Sequence, residues 1–116
     1  MNRRRAERGG RRAETIASWW LRLKGWKILA RRVRTPVGEI DIVARRGRTV
    51  AFVEVKARAT ADEAIRSLDE YRLRRVAAAA EAVAHRFART GDDLRIDAVY
   101  IAARRLPRHA TNVLLR

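Results

Sequence analysis

The sequence predicts a single α/β domain in which a central mixed sheet of four or five strands, beginning as an antiparallel meander, is flanked by helices. Two segments repeat apolar residues at helical spacing, and short runs rich in β-branched residues lie between and after them. Turns that contain glycine or proline separate several of these runs. With 116 residues and 47% hydrophobic content, the chain is long and apolar enough for one core.

The first helix is predicted over about residues 11–24. Its apolar residues fall on one helical face, and Gly25 is a typical C-terminal stop. Residues 1–10 are predicted to form a flexible basic arm, because arginines lead into Gly9–Gly10 and little apolar surface is available for burial. Residues 11–116 then form the folded domain.

Three strands are predicted to follow, at about residues 26–34, 39–44 and 49–57, with TPVG and RRGR as the connecting turns. A short helix or loop over 61–67 precedes an amphipathic helix that Asp69 caps and that ends near 89–91. The segment 94–103 alternates as a fourth strand. The tail after Pro107 is compatible with a short strand or with a helical turn.

The strong positive charge favours a polyanionic partner. Lysine and arginine number 28 against 13 acidic residues, which gives a formal net charge of +15. Nucleic acid is the commonest polyanion, and we expect DNA in preference to RNA. A GC-rich genome would also explain arginine in place of lysine, but it explains the excess of bases over acids less well.

The composition also bears on the compartment. The chain has no cysteine, which excludes disulfides and thiolate metal sites and fits a reducing cytoplasm. No apolar run approaches the ~18 residues that a membrane span needs. The basic N-terminus lacks the apolar stretch of a secretory signal. A cytoplasmic protein without membrane contact is therefore expected.

Three acids and a lysine interrupt the apolar second and third strands. Glu39 and Asp41 leave one face of the second strand, because side chains alternate along a strand. Glu54 and Lys56 leave one face of the third strand for the same reason. The opposite, core-facing side is predicted to carry Ile40, Ile42, Val53 and Val55.

The register of this hairpin decides whether the polar groups meet. A four-residue loop at 46–49 would place Asp41 opposite Glu54. It would also place Glu39 opposite Lys56. A two-residue loop would leave Asp41 diagonal to Glu54, whereas a shift by one residue would separate the groups and expose one strand's apolar side chains.

Two opposed carboxylates repel, since their Cβ atoms lie roughly 4.5–5.5 Å apart. Mg²⁺ or Mn²⁺ would neutralise Asp41 and Glu54, because hard cations prefer oxygen ligands, and the Val55 carbonyl and water would complete the site. Lys56 would then orient or deprotonate an attacking water, or stabilise charge on a phosphate. The alternative is an exposed polar hairpin face with a Glu39–Lys56 ion pair.

These residues also resemble a nuclease motif. Asp41 followed by Glu54-Val55-Lys56 resembles the pattern of the PD-(D/E)XK superfamily. Two longer stretches closely resemble the YraN-like family of small bacterial proteins: RRAETIASWWLRLKGWKILARRVRTPVGEIDIVARRGRTVAFVEVKAR and RIDAVYIAARRLPRH. The resemblance implies a restriction endonuclease-like fold, related to Holliday-junction resolvases and tRNA endonuclease domains.

The resemblance implies roles for single residues. Asp41 and Glu54 would be metal ligands, and Lys56 would be the catalytic lysine. Glu14, on the first helix, matches a glutamate usual in the family and would reach the metal through water, while Glu39 would be a nearby acid. The sequence departs from the family at Arg72, where Lys or Gln is usual; because guanidinium does not release its proton in proteins, proton transfer there is disfavoured. Junction resolvases of this superfamily act as dimers, so a homodimer is compatible with the resemblance.

Further arginines are candidates for nucleic-acid contacts. Arg58 follows Lys56 on the same strand face and could hold a phosphate. The others would add sequence-independent affinity, or form a solvated helix face. They are Arg3, Arg4, Arg5, Arg11, Arg12, Arg72 and Arg75. Of the adjacent Trp19 and Trp20, one could point away from the core and stack on a base.

The sequence therefore predicts a Mg²⁺- or Mn²⁺-dependent nuclease that cuts DNA or structured nucleic acid. Two alternatives stay open: a nucleic-acid-binding module without turnover, and a structural partner in a nucleoprotein complex. His85 and His109 have no neighbour at metal-ligand spacing and are predicted to be ordinary surface or packing residues.

Overall fold

In the computed structural model, the backbone is described for residues 3–114 and the side chains for residues 10–114. Within this part of the chain, the helices and strands are α1 Arg3–Leu23, β1 Lys27–Thr35, β2 Gly38–Arg46, β3 Thr49–Arg58, α2 Ala61–Arg66, α3 Glu70–Phe87, β4 Asp93–Ala102 and β5 Arg108–Ala110. The predicted α/β class, with helices flanking a central sheet, is confirmed. No helix of residues 3–114 has the length and apolarity to cross a membrane.

Helix α1 begins earlier than the sequence predicted. It starts at Arg3 instead of about Arg11, so that residues 3–10, predicted to belong to a flexible arm, are helical. Arginine, alanine and glutamate favour helix and offset the cost of the two glycines. The side chains of Arg3, Arg4 and Arg5 lie outside the described residues.

The sheet is mixed and runs in the order β1-β2-β3-β4-β5. Strands β1 to β3 form the predicted antiparallel meander, whereas β4 lies parallel to β3 and is reached through the α2–α3 crossover. Strand β5 pairs antiparallel with β4, so the ambiguous tail contains a short strand. This order makes β3 the central strand.

The hairpin of β2 and β3 has the first of the two predicted registers. Arg45 pairs with Val50, and the ladder extends from Arg46 to Ile42 on β2. The turn is the two residues 47–48, shorter than the predicted loop, because one additional pair forms before it. A two-residue turn is the commonest connection between antiparallel strands.

Each face of the sheet carries a hydrophobic core. Under α1, the buried residues are Ala17, Leu21, Trp26, Ile42, Ala44, Ala51, Val53 and Val99. Under α3, they are Val33, Ile40, Val43, Val50, Phe52, Ala79, Ala80 and Val83. Because both faces are covered, polar side chains of β3 are not simply exposed to solvent, unlike those of a one-sided hairpin.

Strand β2 bends at Asp41. Ile42 packs under α1, but Ile40 packs under α3, so the prediction that these two share a core face is wrong. A straight strand would place them on the same side. On the neighbouring strand, Arg32 lies between the partners of these two residues and has a φ of 53°, a left-handed conformation that distorts β1 here.

A buried carboxylate attaches β5 to the sheet. Asp97 on β4 is fully buried and accepts hydrogen bonds from His109 Nε2 (2.8 Å), Arg95 Nη2 (2.8 Å) and the main-chain N–H of Asn112 (2.9 Å). Burial alone would raise the pKa of Asp97, but these hydrogen bonds outweigh burial and hold the pKa below its usual range. His109 is therefore a packing residue, as predicted.

Helix α3 approaches β2 closely. Asp69 caps the helix, as predicted, by accepting a hydrogen bond from the Arg72 N–H (2.8 Å). A Cβ added at Gly38 would lie 3.3 Å from the main-chain oxygen of Arg75. The absence of a side chain at Gly38 thus lets α3 hold its first two turns beside the bend in β2.

Candidate metal site and nucleic-acid surface

Asp41 lies where β2 separates from β3. The β2–β3 ladder ends at the pair Ile42 and Val53. Beyond them, the Asp41 carboxylate accepts a hydrogen bond from the main-chain N–H of Val55, with an Oδ2–N distance of 2.7 Å. The side chain therefore satisfies a β3 donor that regular pairing with β2 would have satisfied.

Glu54 and Lys56 lie on the same side of β3 and contact each other. The distance from Lys56 Nζ to Glu54 Oε1 is 3.1 Å, and the two side chains are only 11% and 13% exposed. Glu39, in contrast, is half-exposed and lies 3.7 Å from Arg34 on β1. The alternative prediction of an exposed hairpin face with a Glu39–Lys56 ion pair is thus wrong, because β2 leaves β3 before reaching Glu39.

Glu14 is the acid that α1 contributes. It is buried, and its Oε1 accepts a hydrogen bond from Arg32 Nε at 2.8 Å. The unusual φ of Arg32 lies at the bend of β1 that faces this helix. The negative charge of Glu14 also raises the pKa of Asp41, which places Glu14 in the same electrostatic environment.

The pKa of Asp41 reflects its burial and the charges around it. The pKa of Asp41 is raised from 3.8 to about 7, mainly by burial and secondly by the negative charge of the nearby Glu54 carboxylate. The hydrogen bond from Val55 and the charge of Lys56 act in the opposite direction but are outweighed. Without a cation, the carboxylates are therefore in electrostatic conflict.

Two carboxylate oxygens are available at this site. Asp41 Oδ1 and Glu54 Oε2 make no hydrogen bond or ion pair within residues 10–114, so each carboxylate keeps one available oxygen. No group of three or more His, Cys, Asp or Glu side chains close enough to hold a metal exists in the same part of the chain. A cation here would need main-chain or water ligands in addition to the two carboxylates.

A cavity of about 400 Å³ opens beside Glu54. Helix α3 contributes Arg72 and Arg75 to its wall, and β2 contributes Gly38 and Glu39. Two of the arginines predicted to contact nucleic acid thus lie next to a predicted metal ligand. From the sequence alone, these two arginines could equally have formed a solvated helix face without a ligand.

The remaining predicted arginines lie near α1. Arg12 and Arg58 line a second opening together with Arg104 and Arg105, whereas Arg11 is exposed and lines neither opening. Sequence reasoning missed Arg104 and Arg105. In the sequence, they are an arginine pair just after the fourth strand. In the fold, this pair lies near the end of β3, which carries Arg58 and runs parallel to β4.

Comparison with known proteins identifies the family. The model of the uncharacterised protein family UPF0102 matches residues 13–101. This chain belongs to UPF0102. Among UPF0102 proteins, one from Sphingopyxis alaskensis is 62% identical over 113 residues, which cover 97% of each chain.

Two further UPF0102 proteins show the same likeness over nearly the full length. One from Erythrobacter litoralis is 59% identical over 112 residues, and one from Rhizorhabdus wittichii is 56% identical over 114 residues; each match covers 97% of both chains. The predicted likeness to the YraN-like family, which corresponds to UPF0102, is confirmed. The residues that meet at the bend of β2 all lie inside the part matched by the UPF0102 model.

Proposed function

We propose that this protein is a metal-dependent nuclease of the PD-(D/E)XK type that hydrolyses phosphodiester bonds in DNA or structured nucleic acid. One observation supports the proposal above all. Asp41 and Glu54 approach from two strands, each keeps an oxygen without a partner in residues 10–114, and Lys56 lies against Glu54 at 3.1 Å. Two carboxylates and an amine are the groups that such a hydrolysis uses.

Each residue has its own role in this proposal. Asp41 and Glu54 hold Mg²⁺ or Mn²⁺, with the Val55 carbonyl and water as further ligands. A bound cation would polarise the scissile phosphate and lower the pKa of a water molecule. Lys56 stabilises negative charge at the phosphate or orients the attacking water. Glu14 acts through water from α1.

The surroundings of the site suit a phosphodiester substrate. Arg72 and Arg75 line the cavity beside Glu54, where their guanidinium groups can hold phosphates on either side of the cleaved bond. The net charge of +15 adds long-range attraction for any nucleic acid. In this role Arg72 binds phosphate and transfers no proton.

A cleavage assay tests the proposal. Purified protein is incubated with labelled single-stranded, double-stranded and branched DNA in Mg²⁺, in Mn²⁺ and in EDTA. We expect products only with a cation, and a rate about 10²–10³-fold lower for Asp41→Asn and for Lys56→Ala. Lys27→Ala is the matched control, because it removes the same group from an exposed position on β1.

The two outcomes that contradict the proposal are distinct. If Asp41→Asn and Lys56→Ala cut as fast as the parent, a contaminating nuclease is responsible. If the parent binds DNA in a salt-dependent manner but forms no product on any of the three DNA forms with either cation, the protein is a binding module without turnover.

A further inference from the structure

A groove of about 410 Å³ lies between α1 and the C-terminal ends of the parallel strands β3 and β4. Four arginines line it: Arg12 from α1, Arg58 from β3, and Arg104 and Arg105 from the turn after β4. Ile16 and Pro107 supply apolar wall. We call this opening the arginine groove.

Among the described side chains, no carboxylate forms an ion pair with the arginine groove; Arg58 Nη1 donates a hydrogen bond to the main-chain oxygen of Ala57 at 2.7 Å. None of its four guanidinium groups lies within 4 Å of a carboxylate among residues 10–114, although three partly buried arginines elsewhere do: Arg32, Arg45 and Arg95. Asp62 lines an adjoining cavity with Arg105, but the two form no ion pair. Four like charges around one opening repel, so an anion is the ligand that this arrangement fits.

The backbone at Arg104 is strained. This residue has a φ of 59°, a left-handed conformation that glycine adopts without strain and arginine does not. Only the side chain distinguishes arginine from glycine at this position. Replacing Arg104 by glycine would therefore remove the guanidinium group without adding backbone strain.

An exposed indole lies on α1 beyond the residues that line the groove. Trp19 is 59% exposed and lies on the same helix face as Ile16 and Arg12, three and seven residues earlier. The guanidinium of Arg22 lies 5.2 Å from the centroid of the indole. An aromatic surface next to a row of guanidinium groups is the arrangement that binds unpaired bases and their phosphates, whereas a duplex keeps its base faces stacked inside.

We propose that the arginine groove binds an unpaired nucleic-acid strand, with phosphates on Arg12, Arg58, Arg104 and Arg105 and a base stacked on Trp19. Its connection to catalysis rests on the proposed nuclease function. The link is Arg58, which follows Lys56 by two residues, about 7 Å along β3.

The test measures binding in EDTA, where no cation is available for cleavage. Fluorescence anisotropy compares a labelled single-stranded oligonucleotide with a blunt duplex of the same sequence. We expect Arg104→Gly/Arg105→Ala to raise the Kd for the single strand about tenfold and to lower the slope of log K against log salt by about 1.4, which is two phosphate contacts. Trp19→Ala should raise the Kd about tenfold, with partial recovery in Trp19→Phe.

The variants are chosen so that unfolding does not explain a loss. Arg104→Gly relieves the strained backbone, and Trp19 is exposed, so both variants should keep the parent's circular dichroism and Tm. Arg48→Ala/Arg86→Ala is the matched control: it removes the same two charges from exposed positions at the β2–β3 turn and the end of α3. This control should change the Kd by no more than roughly twofold.

Several results would overturn the inference. An equal loss in the groove variant and its control means that binding follows net charge alone. A blunt duplex that binds as tightly as the single strand, or an unchanged Kd in Trp19→Ala, removes the assignment to an unpaired strand. Lys56→Ala separates the two proposals: if it still cuts at the parent rate while the groove variants fail to bind, the groove inference stands and the proposed nuclease site fails.

Discussion

The carboxylate of Asp41 is tied to the main chain of Val55 on the neighbouring strand, with an Oδ2–N distance of 2.7 Å. This hydrogen bond holds the acid near Glu54, whose negative charge opposes the ionisation of Asp41. Burial is the larger effect, and together with the charge of Glu54 it raises the pKa of Asp41 to about 7. The hydrogen bond from Val55 favours the ionised form but is outweighed, so the acid is costly to ionise, and that cost is measurable.

Asp41→Asn should stabilise the metal-free protein at alkaline pH. The folded carboxyl keeps its proton up to a pKa of about 7, whereas the unfolded one releases it near 3.8, so stability falls as the pH rises between these values. Asn can still accept from Val55 and carries no charge. In urea unfolding with EDTA, we expect the variant to gain at least about 1 kcal/mol at pH 8 and nothing at pH 4. Asp93→Asn, exposed at the start of β4, should show no such pH-dependent gain, and an equal gain there would refute the assignment.

Divalent cations should raise the Tm of the parent. A cation that binds only the folded state stabilises it by about 2.7 kcal/mol at one hundred times its Kd, which corresponds to roughly 10 °C for a domain of this size. Differential scanning fluorimetry with Mg²⁺ or Mn²⁺ at pH 8 measures this. Asp41→Asn and Glu54→Gln should lose the shift, while Glu81→Gln, exposed on α3, should keep it. An undiminished shift in both site variants would place the cation elsewhere.

Asp97→Asn should destabilise the protein strongly. The side chain is fully buried and accepts from His109, Arg95 and the Asn112 N–H, so the substitution leaves cations and donors inside the protein with a weaker partner. We expect a loss of about 3–5 kcal/mol in urea unfolding. Hydrogen exchange should increase first in β5, since Asp97 holds that strand. A variant within about 0.5 kcal/mol of the parent would show that this network contributes little.

Glu14 and Arg32 should be energetically coupled. Their contact at 2.8 Å joins α1 to the distorted part of β1, and Glu14 is buried. A double-mutant cycle with Glu14→Gln and Arg32→Gln should give a coupling of about 1–2 kcal/mol. If the single effects simply add, the contact does not hold α1 against the bend.

Local patterns in the sequence correctly predicted much of this molecule. The cap of Asp69, the β2–β3 register and the burial of Val53 all follow from short-range rules: caps need a side-chain acceptor, and a strand has a period of two residues. The same rules predicted that Asp41 and Glu54 lie opposite each other, but the ladder ends one pair earlier, at Ile42 and Val53. Glu54 beside Lys56 needed nothing more than alternation along one strand.

Local sequence patterns did not predict the bend of β2 at Asp41. Alternation placed Ile40 and Ile42 on one face, but Ile40 packs in the other core, next to the left-handed φ of Arg32 and the close approach of α3 to Gly38. Such a distortion results from contacts between segments far apart in the chain. For the same reason, the sequence could not show that Glu14 contacts Arg32.

By itself, the sequence determined most of the helices and strands between residues 11 and 103, which acids share a hairpin, and that the chain is strongly basic, because each of these depends on neighbours in the chain or on composition alone. Only the tertiary structure decided that β4 lies parallel to β3. That arrangement brings the ends of β3 and β4 to one edge and assembles Arg12, Arg58, Arg104 and Arg105 around a single groove. The physical reason is that burying both faces of β3 requires a crossover, and the crossover, not the local pattern, sets which distant side chains meet.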